Sequence, residues 1–296
     1  MRAARDTTPD ERLAALSEAT VEARTLQEIL KIDFDVLLSV IAPGMEKLNL
    51  RRSGISAKMS LSGSALYNHF GPTGLRDLSD HRSDTVRGLA AFGLADCLKG
   101  AAVDKILPEI RPFAADAHFA VREWAWLAVR PLLASNLDTS IDALRDWTRE
   151  ADFRLRRFAV EALRPRGVWC KHIRKLRETP ELGLPLLRPM RAETEKYAQD
   201  SVANWLNDAA KDNPVWVSRL CANWQHAENG DKNTKVEPVE RNTRCITQLA
   251  CGCERNFGPS IGPLPDLFVG DIGNLRCSQL TADNIDNRLH SFAKFW

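Results

Sequence analysis

Apolar residues recur along this chain at i, i+3 and i+4, the spacing that lines one face of a helix. The clearest copies are Val86-Arg87-Gly88-Leu89-Ala90, Val121-Arg122-Glu123-Trp124-Ala125 and Leu155-Arg156-Arg157-Phe158-Ala159, at steps of 35 and 34 residues. A looser copy, Val202-Ala203-Asn204-Trp205-Leu206, follows 47 residues later. An interval of this size marks stacked helical pairs, because one pair cannot bury its apolar face alone. The pattern predicts an all-α, HEAT-like helical repeat solenoid, an α-α superhelix with a concave working surface.

Helix signals divide the chain further. Thr8-Pro9-Asp10-Glu11 reads as a helix start within a polar lead-in of about 30 residues. Lys31 to Leu50 reads as helical, and Ser53 to Leu78 as the least regular stretch, with Gly71-Pro72 and Gly74 breaking any long helix. Ser83-Asp84 caps a helix to about Leu98. Helices over Val103–Phe113, His118–Leu133, Thr139–Arg149 and Phe153–Leu163 follow, the last stopped by Pro165. Further helices are expected over Val168–Arg177, Leu184–Met190 and Ala192–Ala210, and from Pro214 to about Gln225. Past Asn229-Gly230 the helical period disappears into Cys- and Gly/Pro-rich sequence. The expected organisation is a helical repeat domain over 1–227 and an irregular, divergent C-terminal tail over 228–296.

Composition changes this picture little. Hydrophobic residues make up 44% and charged residues 27% of the 296, as in ordinary globular proteins. No run approaches the ~20 apolar residues that span a bilayer, and no apolar region follows the first residues, so a cytoplasmic protein is expected. The seven cysteines show no framework spacing and are expected to be reduced. Cys251-Gly252-Cys253 is too tightly spaced for a structural zinc site, and no phosphate loop or nucleophile elbow occurs, so neither metal nor cofactor is expected.

Charge distribution says more than the net +2. Ten basic residues fall between Arg149 and Arg177 against Glu150, Asp152 and Glu161, a stretch that predicts a positive field drawing in phosphates. Seven of the eight tryptophans lie between Trp124 and Trp224. Trp124 occupies the apolar slot of its repeat and reads as core. Trp126 lies off that face, Trp169 follows a Pro-Arg-Gly turn, and Trp205 sits between Asn204 and Asn207 with Asp208 three residues on. Glu123, Glu161 and Asp208 stand beside these rings and cations. Such acids are either plain salt-bridge partners or carboxylates that steady a developing positive charge and position water.

The strings His118-Phe119-Ala120-Val121-Arg122-Glu123-Trp124-Ala125-Trp126, Arg156 through Trp169 with its Glu-x-x-Arg-Pro-Arg-x-x-Trp form, and Ser201 through Lys211 resemble the bacterial alkylpurine DNA glycosylases of the AlkC/AlkD superfamily, and the AlkC branch in particular. Ser83-Asp84-Thr85-Val86-Arg87-Gly88 fits the same branch. The resemblance covers about Ser83 to Trp224. It implies a monofunctional, monomeric glycosylase that removes cationic N-alkylated purines, chiefly 3-methyladenine, from double-stranded DNA. Carried over by motif, Glu161 and Trp169 are the main catalytic residues, Glu123 supports them, and Trp205 with Asp208 matches the aromatic-acid position of the later helix. Trp126, Arg154, Arg157, Arg164, Arg166, Lys171, Asn204 and Lys211 are the expected DNA contacts. The sequence after Lys232-Asn233-Thr234-Lys235 departs from the pattern and reads as a divergent or frame-shifted end. Two other readings use the same repeats: a non-catalytic DNA binder and a protein-binding adaptor.

Overall fold

Small polar groups start the first helices. Thr8 accepts from the Glu11 amide while the Glu11 side chain accepts from the Thr8 amide, which closes a capping box on α1 (Pro9–Ser17). Thr25 caps α2 (Leu26–Lys31), and Asp33 caps α3 (Phe34–Ile41) through the Asp35 and Val36 amides. The computed structural model describes residues 8–229, and every regular element among them is helical. The cysteine-rich tail lies outside the described residues, and α13 runs across the boundary expected at residue 227.

The remaining helices are α4 (Ile55–Ser79), α5 (Asp84–Cys97), α6 (Val103–Ala114), α7 (Phe119–Ser135), α8 (Leu137–Trp147), α9 (Phe153–Glu161), α10 (Arg174–Glu178), α11 (Leu184–Leu187), α12 (Lys196–Ala210) and α13 (Pro214–Asn229). Single turns of 3-10 helix fill Leu50–Arg52, Pro180–Gly183 and Pro189–Ala192. Helices α4, α5 and α7 pack side by side, α7 touches α9, and α9 packs on α12. Helix α6 packs against α7, α8 and α9, while α8 packs against α9 and α11. This is a helical-repeat stack with one continuous apolar core from Leu16 to Trp224. The repeat slots Leu89, Trp124, Phe158 and Trp205 are all at most 2% exposed, as their spacing requires.

The repeated arginine has a common task. Arg87 donates to the His81 carbonyl, Arg122 to those of Asp116 and Ala117, and Arg156 to those of Glu150 and Ala151. Each guanidinium thus satisfies carbonyls of the turn that leads into its own helix.

Three stretches differ from the sequence expectation. Residues 53–78 are mostly helical, with one break where Gly71 takes φ 67° and ψ −175°. That helix is held because Gly63 and Gly93 let the α4 and α5 backbones touch; a methyl group on Gly63 would stand 2.7 Å from the Gly93 nitrogen. Lys31 to Leu50 is helical only over α3, since Pro43 follows and Gly44 takes φ 87°. Of Val168–Arg177 only the end is helical, because Arg164 to Ile173 forms an irregular loop.

Candidate catalytic carboxylate cluster

Helix α7 places Glu123, Trp126 and Arg130 at i, i+3 and i+7, on one face. Facing them, α9 carries Arg157 and Glu161, one turn apart. The chain then leaves α9 through Arg164, and α12 brings in Asp208 beside its buried Trp205. None of Glu123, Arg157, Glu161 and Asp208 is more than 3% exposed, and Arg164 is 6% exposed.

The carboxylates and guanidinia alternate. Glu123 Oε1 lies 2.9 Å from an Arg157 nitrogen and accepts from the Tyr197 hydroxyl at 2.8 Å, while its Oε2 accepts from Trp126 Nε1 at 2.7 Å. Arg157 also donates to the Tyr197 carbonyl, and its guanidinium sits 4.1 Å from the centre of the Tyr197 ring. Arg164 bridges two acids, donating to Glu161 Oε1 at 2.5 Å and to Asp208 Oδ2 at 2.9 Å. Asp208 further accepts from the Gly167 amide and from Lys211. Glu161 Oε2 stands apart: it is buried, makes no hydrogen bond, and lies 3.7 Å from Arg157.

Burial alone would push these carboxyls toward their neutral forms. For Glu123 the Arg157 charge and three donors outweigh burial, so its carboxyl sits below the usual range. Asp208 is likewise held low against burial, by Arg164, Lys211 and the Gly167 amide. Burial and the neighbouring Glu123 push the Tyr197 hydroxyl up, so it remains a donor. Arg157 and Arg164 are held protonated by the same acids despite burial.

Above the cluster runs the loop from Arg164 to Ile173. Arg130, 2% exposed, gathers it by donating to the carbonyls of Ala162, Arg164 and Lys171. Within it Gly167 takes φ 61° and Trp169 takes φ 58°, a conformation that costs a bulky residue of order 1–3 kcal/mol. The Trp169 carbonyl accepts from Ser56 Oγ at 2.8 Å, and its ring stacks on Trp124 with centroids 6.2 Å apart.

The expected site residues thus separate into groups. Glu123, Glu161 and Asp208 share one ion-pair network with Arg157, Arg164 and Lys211, beside Trp126 and under the loop carrying Trp169. Trp126 is 5% exposed and serves Glu123, so it offers no open stacking platform in this conformation. Trp205 is 0% exposed, donating to the Leu163 carbonyl, so it touches the cluster's support rather than solvent. Asn204 is half-buried one position before it. Arg157 and Arg164 are bound inward, and a phosphate contact would have to replace their present partners.

Arg154 pairs with Asp152, its own helix cap, and Arg166 pairs with Asp212, away from the acids of the cluster. Of the ten basic residues between Arg149 and Arg177, nine carry an ion pair, several to acids that arrive from later in the chain (Glu193, Asp208 and Asp212). The local excess of positive charge is therefore largely neutralised in the fold. Lys171 is exposed, with no ion pair among the described residues.

Sequence reasoning missed Tyr197 and Arg130. No local signal marks Tyr197, which lies 74 residues from Glu123. Arg130 was findable, since it shares a helix face with Glu123 and Trp126. Among the described residues no group of His, Cys, Asp and Glu is placed to hold a metal, and no helix is long and apolar enough to cross a membrane.

No protein-family model matches the sequence. Over 150 residues the chain is 29% identical to the uncharacterized protein YhaZ of Bacillus subtilis (strain 168), covering 51% of this chain and 40% of that protein. The fold is similar to that of Pseudomonas fluorescens alkylpurine DNA glycosylase AlkC bound to DNA containing an abasic site analog. The TM-score is 0.54 at 19% identity, over 82% of this chain and 62% of that one. The chain spans less than two thirds of either relative. At this identity the structural likeness establishes the helical-repeat fold.

Proposed function

We propose that the chain is a DNA glycosylase of the AlkC branch, excising cationic N-alkylated purines such as 3-methyladenine. The observation that carries this reading is Oε2 of Glu161, a buried carboxylate oxygen that accepts no hydrogen bond, 3.7 Å from Arg157, while Arg164 holds the other oxygen. A buried acceptor without a donor is costly and calls for an explanation, and a chemical role supplies one. The likeness of the fold to an alkylpurine DNA glycosylase supports the same reading.

The chemistry is hydrolysis of the N-glycosidic bond. The C1′–N bond breaks, and its electron pair neutralises the charge of the alkylated base. The sugar becomes an oxocarbenium-like cation, and water adds at C1′ while losing its proton. Glu161 faces that cation and takes up the water proton, with Arg164 fixing its other oxygen. Glu123 and Asp208 hold the two arginines in place. Trp169 supplies a ring face for the cationic base. Lys171, exposed and without an ion pair among the described residues, and Lys211, exposed beside Asp208, are the cations offered to phosphates.

Base release decides it: purified protein incubated with methylated duplex DNA should liberate free 3-methyladenine, and a well-folded preparation that liberates none defeats the proposal. A second reading, a repeat scaffold that binds DNA without catalysis, is favoured by the deep burial of the catalytic candidates Glu161, Asp208 and Trp205. Salt-sensitive DNA binding without base release would establish it instead.

A further inference from the structure

A cavity of about 640 Å³ opens between α4, α5, α7 and the segment Trp169–Ile173. None of Glu123, Glu161 and Asp208 lines it, so it is separate from the carboxylate cluster, although both adjoin Trp169 and Arg130. Its volume falls within the ~300–1,000 Å³ of small-molecule sites.

The lining has two characters. Ser56, Ser60 and Ser64 stand at i, i+4 and i+8 on α4 and line it, Ser56 with its hydroxyl already donated to the Trp169 carbonyl. Lys99, Arg130 and Lys171 bring three cations, and Asp96, paired with Lys99, brings one acid. Arg130 is the decisive group. Its guanidinium is buried, its direct partners are neutral carbonyls, its Nε has no hydrogen bond, and no carboxylate lies within ion-pair distance among the described residues. Burial and nearby arginines push the imidazole of His172, at the same rim, toward its neutral form, the direction that a positive surround imposes. The other part of the wall is apolar, with the Trp169 ring, Phe92 and Leu127. A cationic end with hydroxyl donors beside an aromatic wall matches a phosphate joined to a flat ring.

We infer that this cavity binds a single nucleotide unit, its phosphate held by Lys99, Lys171 and the field of Arg130, and its base laid against the wall of Phe92 and Leu127. The unit comes either from a free mononucleotide or from one nucleotide of a single strand. This assignment does not rest on glycosylase activity, since its readout is binding.

Adenosine 5′-monophosphate is titrated into the full chain by calorimetry, beside adenosine, inorganic phosphate and a short unmodified single-stranded oligonucleotide. Cys170 lines the cavity, so its alkylation, followed by peptide mass, reports where each probe sits. Saturable binding of the mononucleotide below about 1 mM with slowed Cys170 alkylation is expected. Lys99→Glu should weaken it roughly tenfold by reversing a charge at the rim. Ser60→Phe, an exposed position on α4, should abolish the protection by filling the space, and its thermal melt reports that the fold is kept. Protection by the oligonucleotide as well assigns the strand as the source, and protection by the mononucleotide alone assigns the free nucleotide. The proposal is overturned if neither protects Cys170, if inorganic phosphate protects as well as the mononucleotide, or if a folded Ser60→Phe protein binds unchanged.

Discussion

Glu123 on α7 and Arg157 on α9 meet at 2.9 Å with neither side chain more than 4% exposed. They join two consecutive repeats at the point where the candidate chemistry sits. Burying both charges is tolerable only because each has further partners, the Trp126 indole and the Tyr197 hydroxyl on one side and the Tyr197 carbonyl on the other. The pair is thus a structural joint as well as part of a site.

Removing one member should leave the other's buried charge without its closest counter-charge. Arg157→Met or Glu123→Leu alone is expected to cost about 3–5 kcal/mol of folding stability, and the double variant to recover a large part of it. Urea denaturation of the four proteins checks this. Single variants losing less than about 1 kcal/mol would mean that the pair is not buried in solution.

Glu161→Gln keeps the oxygen that Arg164 binds and removes the charge facing the proposed cation. DNA affinity should be unchanged and base release should fall at least about tenfold. Single-turnover release kinetics beside a salt-controlled binding isotherm separate the two effects, and equal release rates would remove Glu161 from the mechanism.

Arg130→Met should loosen the loop that carries Trp169, because three carbonyls lose their donor. The expected signs are a loss of several kcal/mol in stability and faster amide exchange from Arg164 to Ile173. Loop exchange at the normal rate would show that the contacts of Ser56, Asp208 and Trp124 hold it without Arg130.

Acid should weaken the fold. Arg177 and Arg166 hold the Asp212 carboxyl down to about 2, and Glu123, Asp208 and Glu193 also sit below the usual carboxylate range. Groups with depressed folded values stabilise above the unfolded value near ~4 and lose that contribution as pH falls through the folded one. The melting temperature should therefore drop steadily below about pH 4, and Asp212→Asn should flatten that drop.

Asp84 has the opposite sign. It is 0% exposed, accepts from the Ala23 amide, and has its other oxygen 3.6 Å from His118 Nδ1. Burial pushes its carboxyl up, so its ionised form opposes folding as pH rises through that raised value. Asp84→Asn keeps the acceptor for Ala23 and should raise the melting temperature at neutral pH. A lower one would show that the ionised carboxylate is compensated in the fold.

The repeats were legible because burial imposes a period: Leu89, Trp124, Phe158 and Trp205 fall in the core as their spacing says. Helix α4 was misjudged because glycine and serine in a helix look like a loop until a second backbone closes on them, as Gly93 does on Gly63. The acids and tryptophans of the candidate site were visible as residues, but their partners were not. Arg156 looks like a free cation until Glu193 is brought to it, and Arg166 until Asp212 is. Charge balance belongs to the fold, since a segment shows its own cations and none of the anions that return from elsewhere.

Because Arg87, Arg122 and Arg156 each reach back five or six residues to the carbonyls before their helices, the length of those three connections is fixed by the reach of one side chain. An insertion or deletion there would unlatch a whole repeat from the next. Drift in length among relatives should therefore concentrate elsewhere in the repeats.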